Sequence, residues 1–513
     1  MSNSDVRRQG VGLRSERGPI LAALMLTVSL VAIEGTIIAT AVPSIVHQLG
    51  GFAQFPWLFS IYLLAQAVTI PLYGKYSDVF GRKPILYIGI GMFLLGSVFC
   101  GVAWSMQLLI IGRALQGLGA GAVQPMVLTI VGDLYTVQER ARVQGYTASV
   151  WAISSVLGPT LGGLFSEYLS WRWIFFINLP IGALSVWMLH SRFKENVERR
   201  KHKVDVLGST LLATGCSMVI LGLLEGGVAW KWKSPMGIGI ELGGLALLAI
   251  FIRVEQHAVE PILPLWVISR RILVASDLAS AAAAAVMIGL TAYIPTFAQA
   301  VLGVRPIVAG LALATLVLGW PLASSNSGRL YLRIGFRNTA LIGSSIVIVG
   351  TLLAVRLTAT SSIWQVALPC FIVGIGVGLS VTPAMVAVQS VVGWKQRGTV
   401  TSTNMFSRAL GSAIGVAIFG SVANLSISHQ LAHPPKGLPG PLPVTADGAN
   451  RVLSSARAGS PLMEFVRGAL FHATHLVLIA IACAAVAALI AIFFLPKKTE
   501  KLIFADDHSE EPA

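Results

Sequence analysis

Gly74-Lys75-Tyr76-Ser77-Asp78-Val79-Phe80-Gly81-Arg82-Lys83-Pro84-Ile85-Leu86 lies between two long apolar runs, and the rest of the chain can be interpreted from it. The segment is too short for a domain and too charged to lie in lipid. Its two glycines let helix ends turn back within a few residues, through backbone conformations that side chains penalise. A tight loop at a membrane surface is therefore expected. Arg82 and Lys83 hold such a loop on the cytoplasmic side, and Asp78 is placed to pair with a basic group or with the positive end of a nearby helix. Gly74, Asp78, Gly81, Arg82 and Lys83 together read as a conformational latch.

The surrounding chain agrees with a membrane setting. Of its 513 residues, 55% are hydrophobic and 12% charged, and the mean hydropathy is +0.76. These values lie outside the soluble globular range. A net charge of +15 would suggest a nucleic-acid partner in a soluble chain. Here the basic residues fall in short segments between apolar runs, where they set orientation, so no nucleic acid is expected. Cys100, Cys216, Cys370 and Cys483 sit inside apolar runs without ligand spacing, and His472-x-x-His475 lies at the outer end of a span. Neither pattern points to a metal or a disulfide framework. No G-x-x-x-x-G-K-[ST] string occurs, so the chain carries no nucleotide-hydrolysing motif of that type and no cofactor is expected.

Runs of spanning length predict fourteen transmembrane helices. A polar tail, 1–18, precedes a six-helix bundle over 19–190. The first apolar run is not a signal peptide, because it holds a glutamate and is long enough to span. A charged linker, 191–204, leads to two inserted helices within 205–254, and a second six-helix bundle fills 272–496. That bundle is interrupted by an external loop over 424–465, rich in Pro, Gly and Ala, and a cytoplasmic tail follows over 497–513. An even number of spans puts both termini on one side, and the excess of Lys and Arg makes that side the cytoplasm. The halves also repeat. One constant shift lays Gly117, Gly119 and Gly121 on Gly374, Gly376 and Gly378, with Arg140 on Arg397, Gly158 on Gly415 and Gly163 on Gly420. Gly328 and Gly335 keep the spacing of Gly74 and Gly81, but Leu332 stands at the aspartate position, so a second latch is not expected.

Two charges inside spans stand out. Arg113 lies in the fourth span, where a guanidinium costs at least a few kcal/mol. Gln116, Ala120 and Gln124 continue from it as a semi-polar stripe at helical spacing, which suits a cavity face. Glu34 lies in the first span at a similar depth, about eight residues from the outer end. The two can form a structural ion pair or a proton-carrying site, and the second is expected because intramembrane ionisable groups mark pathways. Asp277 and Arg408 are further cavity candidates in the second half. Gly158-Pro159-Thr160-Leu161-Gly162-Gly163 combines a proline kink with glycines four apart that favour close helix packing.

The string from Gly74 to Pro84 resembles the signature loop between the second and third helices of the major facilitator superfamily, with Tyr76 in place of the usual leucine. The Gly158–Gly163 string resembles that superfamily's antiporter motif. Trp171-Arg172-Trp173-Ile174-Phe175-Phe176-Ile177-Asn178-Leu179-Pro180-Ile181-Gly182 is similar to the start of the sixth helix in its fourteen-helix drug:proton antiporters. Glu34 stands where many of those proteins have aspartate. The resemblance implies an all-α major facilitator fold, not an enzyme, that exports amphipathic compounds across the plasma membrane in exchange for protons. Its partners would be a small amphipathic substrate, protons and the lipid bilayer, with the chain acting as a monomer. One core carboxylate in the first half points to neutral or singly cationic substrates. A dedicated exporter of an endogenous lipid or metabolite is the runner-up, and a non-transporting membrane sensor a more distant one.

Overall fold

Backbone amides in lipid have no water to bond, so each apolar run satisfies its own by forming helix. The computed structural model describes residues 12–135, 137–193, 195, 205–226, 229–258, 265–392, 394–435 and 460–496. The first half contains α1 (Gly18–Leu49), α2 (Trp57–Phe80), α3 (Arg82–Gly101), α4 (Met106–Leu134), α5 (Val137–Tyr168) and α6, which runs in two pieces (Trp173–Phe176 and Asn178–Arg192). The inserted pair is α7 (Val206–Glu225) and α8 (Pro235–Glu255). The second half contains α9 (Arg271–Ala300), α10 (Pro306–Ile334), α11 (Phe336–Val355), α12 (Ile363–Val391), α13 (Trp394–Ala432) and α14 (Pro461–Phe493). Thirteen of the described helices are long and apolar enough to cross a membrane. The fourteenth is α5, which has a polar first turn, equals α1 in length and packs along α1 and α10.

The stretch from Gly74 to Leu86 is not a loop. Helix α2 continues to Phe80 and α3 starts at Arg82, which leaves Gly81 as the whole turn. Its φ of 96° and ψ of 158° belong to a region that only glycine adopts readily. Gly74 is an ordinary helical residue with open space where a Cβ would be. Gly335 makes the same single-residue turn between α10 and α11, at φ 86° and ψ 159°. The expected external loop is also shorter, because α13 runs through Asn424 to Ala432 and buries Ile427 and Leu431. The tail residues 1–11 and 497–513, most of the linker (194 and 196–204) and loop residues 436–459 lie outside the described residues, as does the side chain of Asp78.

The glycine repeat has a packing cause. A Cβ on Gly117 would strike the carbonyl of Tyr62, and one on Gly374 the carbonyl of Leu316. Gly119 abuts Gly89 and Phe93, and Gly376 abuts Gly343 and Val347. Each triplet lets its own helix, α4 or α12, lie backbone to backbone with two neighbours at equivalent positions.

The two ends of the molecule differ. The loop face is the end that carries the Gly81 and Gly335 turns, and the far face is the opposite one. Toward the far face, one hydrophobic cluster joins both halves through Ile37, Val42 and Phe55 on one side and Tyr293, Phe297 and Ile427 on the other. Toward the loop face each half has its own cluster, around Leu24, Leu86 and Met126 in the first and Leu273, Val388 and Ile492 in the second. The halves are thus closed together at the far face. The inserted pair packs on α2 and α13, one helix from each half, through Leu212, Ile220, Leu64, Phe406 and Ala413. Trp57 donates to Glu225 at 2.8 Å and fastens the end of α7 to the start of α2.

A buried ion pair and a cavity in a two-half bundle

Glu34 on α1 and Arg113 on α4 meet. Glu34 is 0% and Arg113 1% exposed, and Arg113 Nη1 donates to Glu34 Oε1. The sequence places the two at equal depth, about eight residues inside the outer ends of their spans. Helix α1 runs on to Leu49, about two turns beyond the expected end, whereas α4 starts at Met106, so Arg113 keeps its depth and it is α1 that projects further.

A buried pair survives when its remaining polar groups are also satisfied. Arg113 Nη1 also donates to Gln116 Oε1 at 2.8 Å, and Nε to the Leu58 carbonyl at 2.9 Å. The guanidinium stacks 4.2 Å from the Tyr62 ring centroid. Asn178 Nδ2 donates to Glu34 Oε2 at 2.8 Å, and Gln116 Nε2 to Ser97 Oγ at 2.8 Å. Gly96 makes the last contact possible, since a Cβ there would lie 2.5 Å from the Gln116 backbone nitrogen. Gln116 was expected on a cavity wall. In this conformation it is instead closed inside the polar cluster, while Gln124 is half-buried two turns further along α4.

Asn178 and Ser97 are not among the site residues that the sequence points to, and Tyr62 is only one of several aromatic residues there, with Trp57, Tyr293 and Phe297, that could line a cavity or serve as packing. Asn178 was legible, as the polar residue inside the Trp171–Gly182 string. Ser97 and Tyr62 carry no signal that separates them from other spanning residues.

From Glu34 the polar path continues along α1 to the far face. Thr36 Oγ1 lies beside the Ser154 carbonyl, and Thr40 Oγ1 donates to the Pro159 carbonyl at 3.4 Å. Gly158 and Gly162 face α1 so closely that a Cβ would strike Thr36 and the Ile37 carbonyl. Gly163 faces Ile307, and Gly310 faces the Pro159 carbonyl, so the same string also seats the other half. Gln299 Nε2 donates to the Thr40 carbonyl at 3.1 Å, and Arg305 pairs with Glu167 at 3.0 Å, both across the halves.

At the loop face, the backbone amides of Arg82 and Lys83 donate to the Glu195 carboxylate at 2.6 and 2.9 Å. This carboxylate caps the positive end of α3. Lys83 Nζ also donates to the Phe193 carbonyl. In the second half, Asn404 Nδ2 donates to Asp277 Oδ1 at 2.8 Å and to Ser280 Oγ at 3.1 Å. Arg408 lies one turn along α13, against Trp320.

Two helical halves sealed at one face, with an ion pair buried within the first, define a multi-pass membrane transporter, not an enzyme. The chain belongs to the Major Facilitator Superfamily, whose sequence profile matches residues 24–416. It is 35% identical over 422 residues to Multidrug resistance protein 3 of Bacillus subtilis, covering 82% of each chain. It is 32% identical to Multidrug transporter protein MdtP of the same organism, over 80% of this chain and 76% of that one. Among solved structures, an inward-facing bacterial homologue of the human lysosomal transporter Spinster superposes with a TM-score of 0.67 at 17% identity, over 93% of this chain and 96% of that one. A D-xylose-proton symporter superposes with a TM-score of 0.64 at 14% identity, over 95% of this chain and the whole of the other. At these identities the two structures speak for the fold alone.

Proposed function

We propose that this transporter exports lipophilic or amphipathic, drug-like compounds, neutral or singly cationic, across the plasma membrane in exchange for protons. The loop face and both termini are cytoplasmic in this reading, and the monomer is the working unit. The observation that carries it is the Glu34–Arg113 pair, a charge that can be cancelled by one proton, set on the helix that reaches the far-face seal. The names of the two Bacillus relatives support drug-like substrates.

A proton taken up on a Glu34 oxygen removes the charge that Arg113 holds. Arg113 keeps its bonds to Gln116 and to the Leu58 carbonyl, so the cationic side remains in place while α1 is freed. Because α1 also carries Thr36 and Thr40 against the Gly158–Gly163 string, protonation and far-face opening share one rigid element. Release of the proton toward the loop face restores the pair and the closed far face. Asp78 acts in the closure of the loop face in the alternate state.

Dye export by inverted vesicles under an imposed proton gradient tests this. Glu34→Gln is expected to keep substrate binding and lose gradient-driven export, and Glu34→Asp to retain part of it. Export by Glu34→Gln that still collapses with the gradient would place the proton carrier elsewhere, with Asp277 the next residue to test.

A further inference from the structure

In the second half, α9, α10, α12 and α13 line a half-open cavity of about 130 Å³. Ala283, Ala284, Met287, Val377 and Val381 make most of its wall apolar. Arg408 breaks that pattern. Its guanidinium lies 5.3 Å from the Trp320 ring centroid, with Ser280 and Ser412 on the same wall.

Arg408 differs from Arg113 in having no counter-charge. Among the described residues no carboxylate lies within ion-pair distance of it, and no protein acceptor takes a hydrogen bond from it. Asp277, the acid on α9, is held by Asn404 instead. A guanidinium cannot shed its proton to escape this environment. Stacking on an indole returns only about 0.5–2 kcal/mol, against several for placing the charge within a span. Trp320 is the aromatic neighbour of the guanidinium, whose N–H groups, which match a carboxylate in geometry, have no partner among the described residues.

We propose that this cavity is a second, anion-selective subsite that takes the carboxylate of a lipophilic acid on Arg408 and its apolar body along the Met287 and Val381 walls. It adds a third substrate class to the neutral and cationic compounds of the preceding section, and it rests on that reading for its role in export. Trp320 is the positioning residue, because its ring lies against the guanidinium at the cavity wall.

Equilibrium binding of 1-naphthylacetate and of its uncharged amide to the purified protein tests the subsite. Arg408→Gln is expected to weaken the acid by about tenfold or more, the size of a lost charge-assisted hydrogen bond, and to leave the amide unchanged. Arg408→Lys should recover part of the loss. Should Arg408→Gln fold poorly, Trp320→Phe is expected to weaken the acid alone. Equal loss of acid and amide, or no loss of either, overturns the proposal. Vesicle export separates it from the export reading. Export of cations with no Arg408-dependent binding of the acid removes the subsite and leaves export standing, whereas Arg408-dependent binding without export of any compound does the reverse.

Discussion

Glu34 and Arg113 are unequal partners, because a carboxylate can take up a proton and become neutral while a guanidinium cannot. Breaking a buried pair from the acidic side strands a permanent charge. Glu34→Leu is therefore expected to cost about 3–5 kcal/mol of stability, and Arg113→Met clearly less. The double variant should approach the parent in thermal unfolding while remaining inactive in export. Equal destabilisation by the two single variants would contradict this asymmetry. Both residues were legible in the sequence because a charge within an apolar run is costly and therefore conspicuous. Their partners were harder to find. Asn178 stood in a recognisable string, but Ser97 and Tyr62 are residue types common in any span. Trp320 was hidden for the same reason, although Arg408 was not. Glu195 was one acid in a run of charges, and only the fold reveals that it caps α3.

At the scale of helices and turns, the reversal between α2 and α3 rests on a single residue. Gly81→Ala and Gly335→Ala are each expected to cost about 1–3 kcal/mol, because both glycines occupy a conformation that a Cβ makes unfavourable. Gly74→Ala should be neutral or stabilising by up to about 1 kcal/mol, since Gly74 is mid-helix with open space around it. Thermal unfolding of the three variants in detergent checks the contrast, and a Gly74→Ala penalty as large as that of Gly81→Ala would refute it. The sequence located this turn but overstated its length. Polar residues that look too charged for lipid can still be helical when they extend past the apolar zone, as Lys75 to Phe80 do. The same error at the other face placed Asn424–Ala432 in a loop, because serine, asparagine and histidine there masked the apolar stripe of Ile427 and Leu431.

Across the whole molecule, the far-face closure includes an approach of α5 and α10 that leaves no room for a side chain. A Cβ on Gly310 would lie 2.4 Å from the Pro159 carbonyl, whereas Gly91 has nothing within 4 Å. Gly310→Val is therefore expected to act as a wedge and shift the population toward a far-face-open state. Spin labels on the far-face ends of α5 and α10 should report longer distances for Gly310→Val and unchanged ones for Gly91→Val. Equal distances in both variants would show that this contact does not hold the face shut. The Arg305–Glu167 pair beside it is exposed only on its arginine side, since Glu167 is 11% exposed. Two-half organisation was readable from the glycine repeat and the span count. Which face is closed was not, since closure depends on contacts between helices far apart in the chain.

The inserted pair makes the periphery of this transporter lopsided. The halves meet along two seams, α5 against α10 and α2 against α13, and α7 and α8 cover only the second. A solute already dissolved in the bilayer thus meets the α5–α10 seam directly, whereas the inserted pair stands between it and the α2–α13 seam.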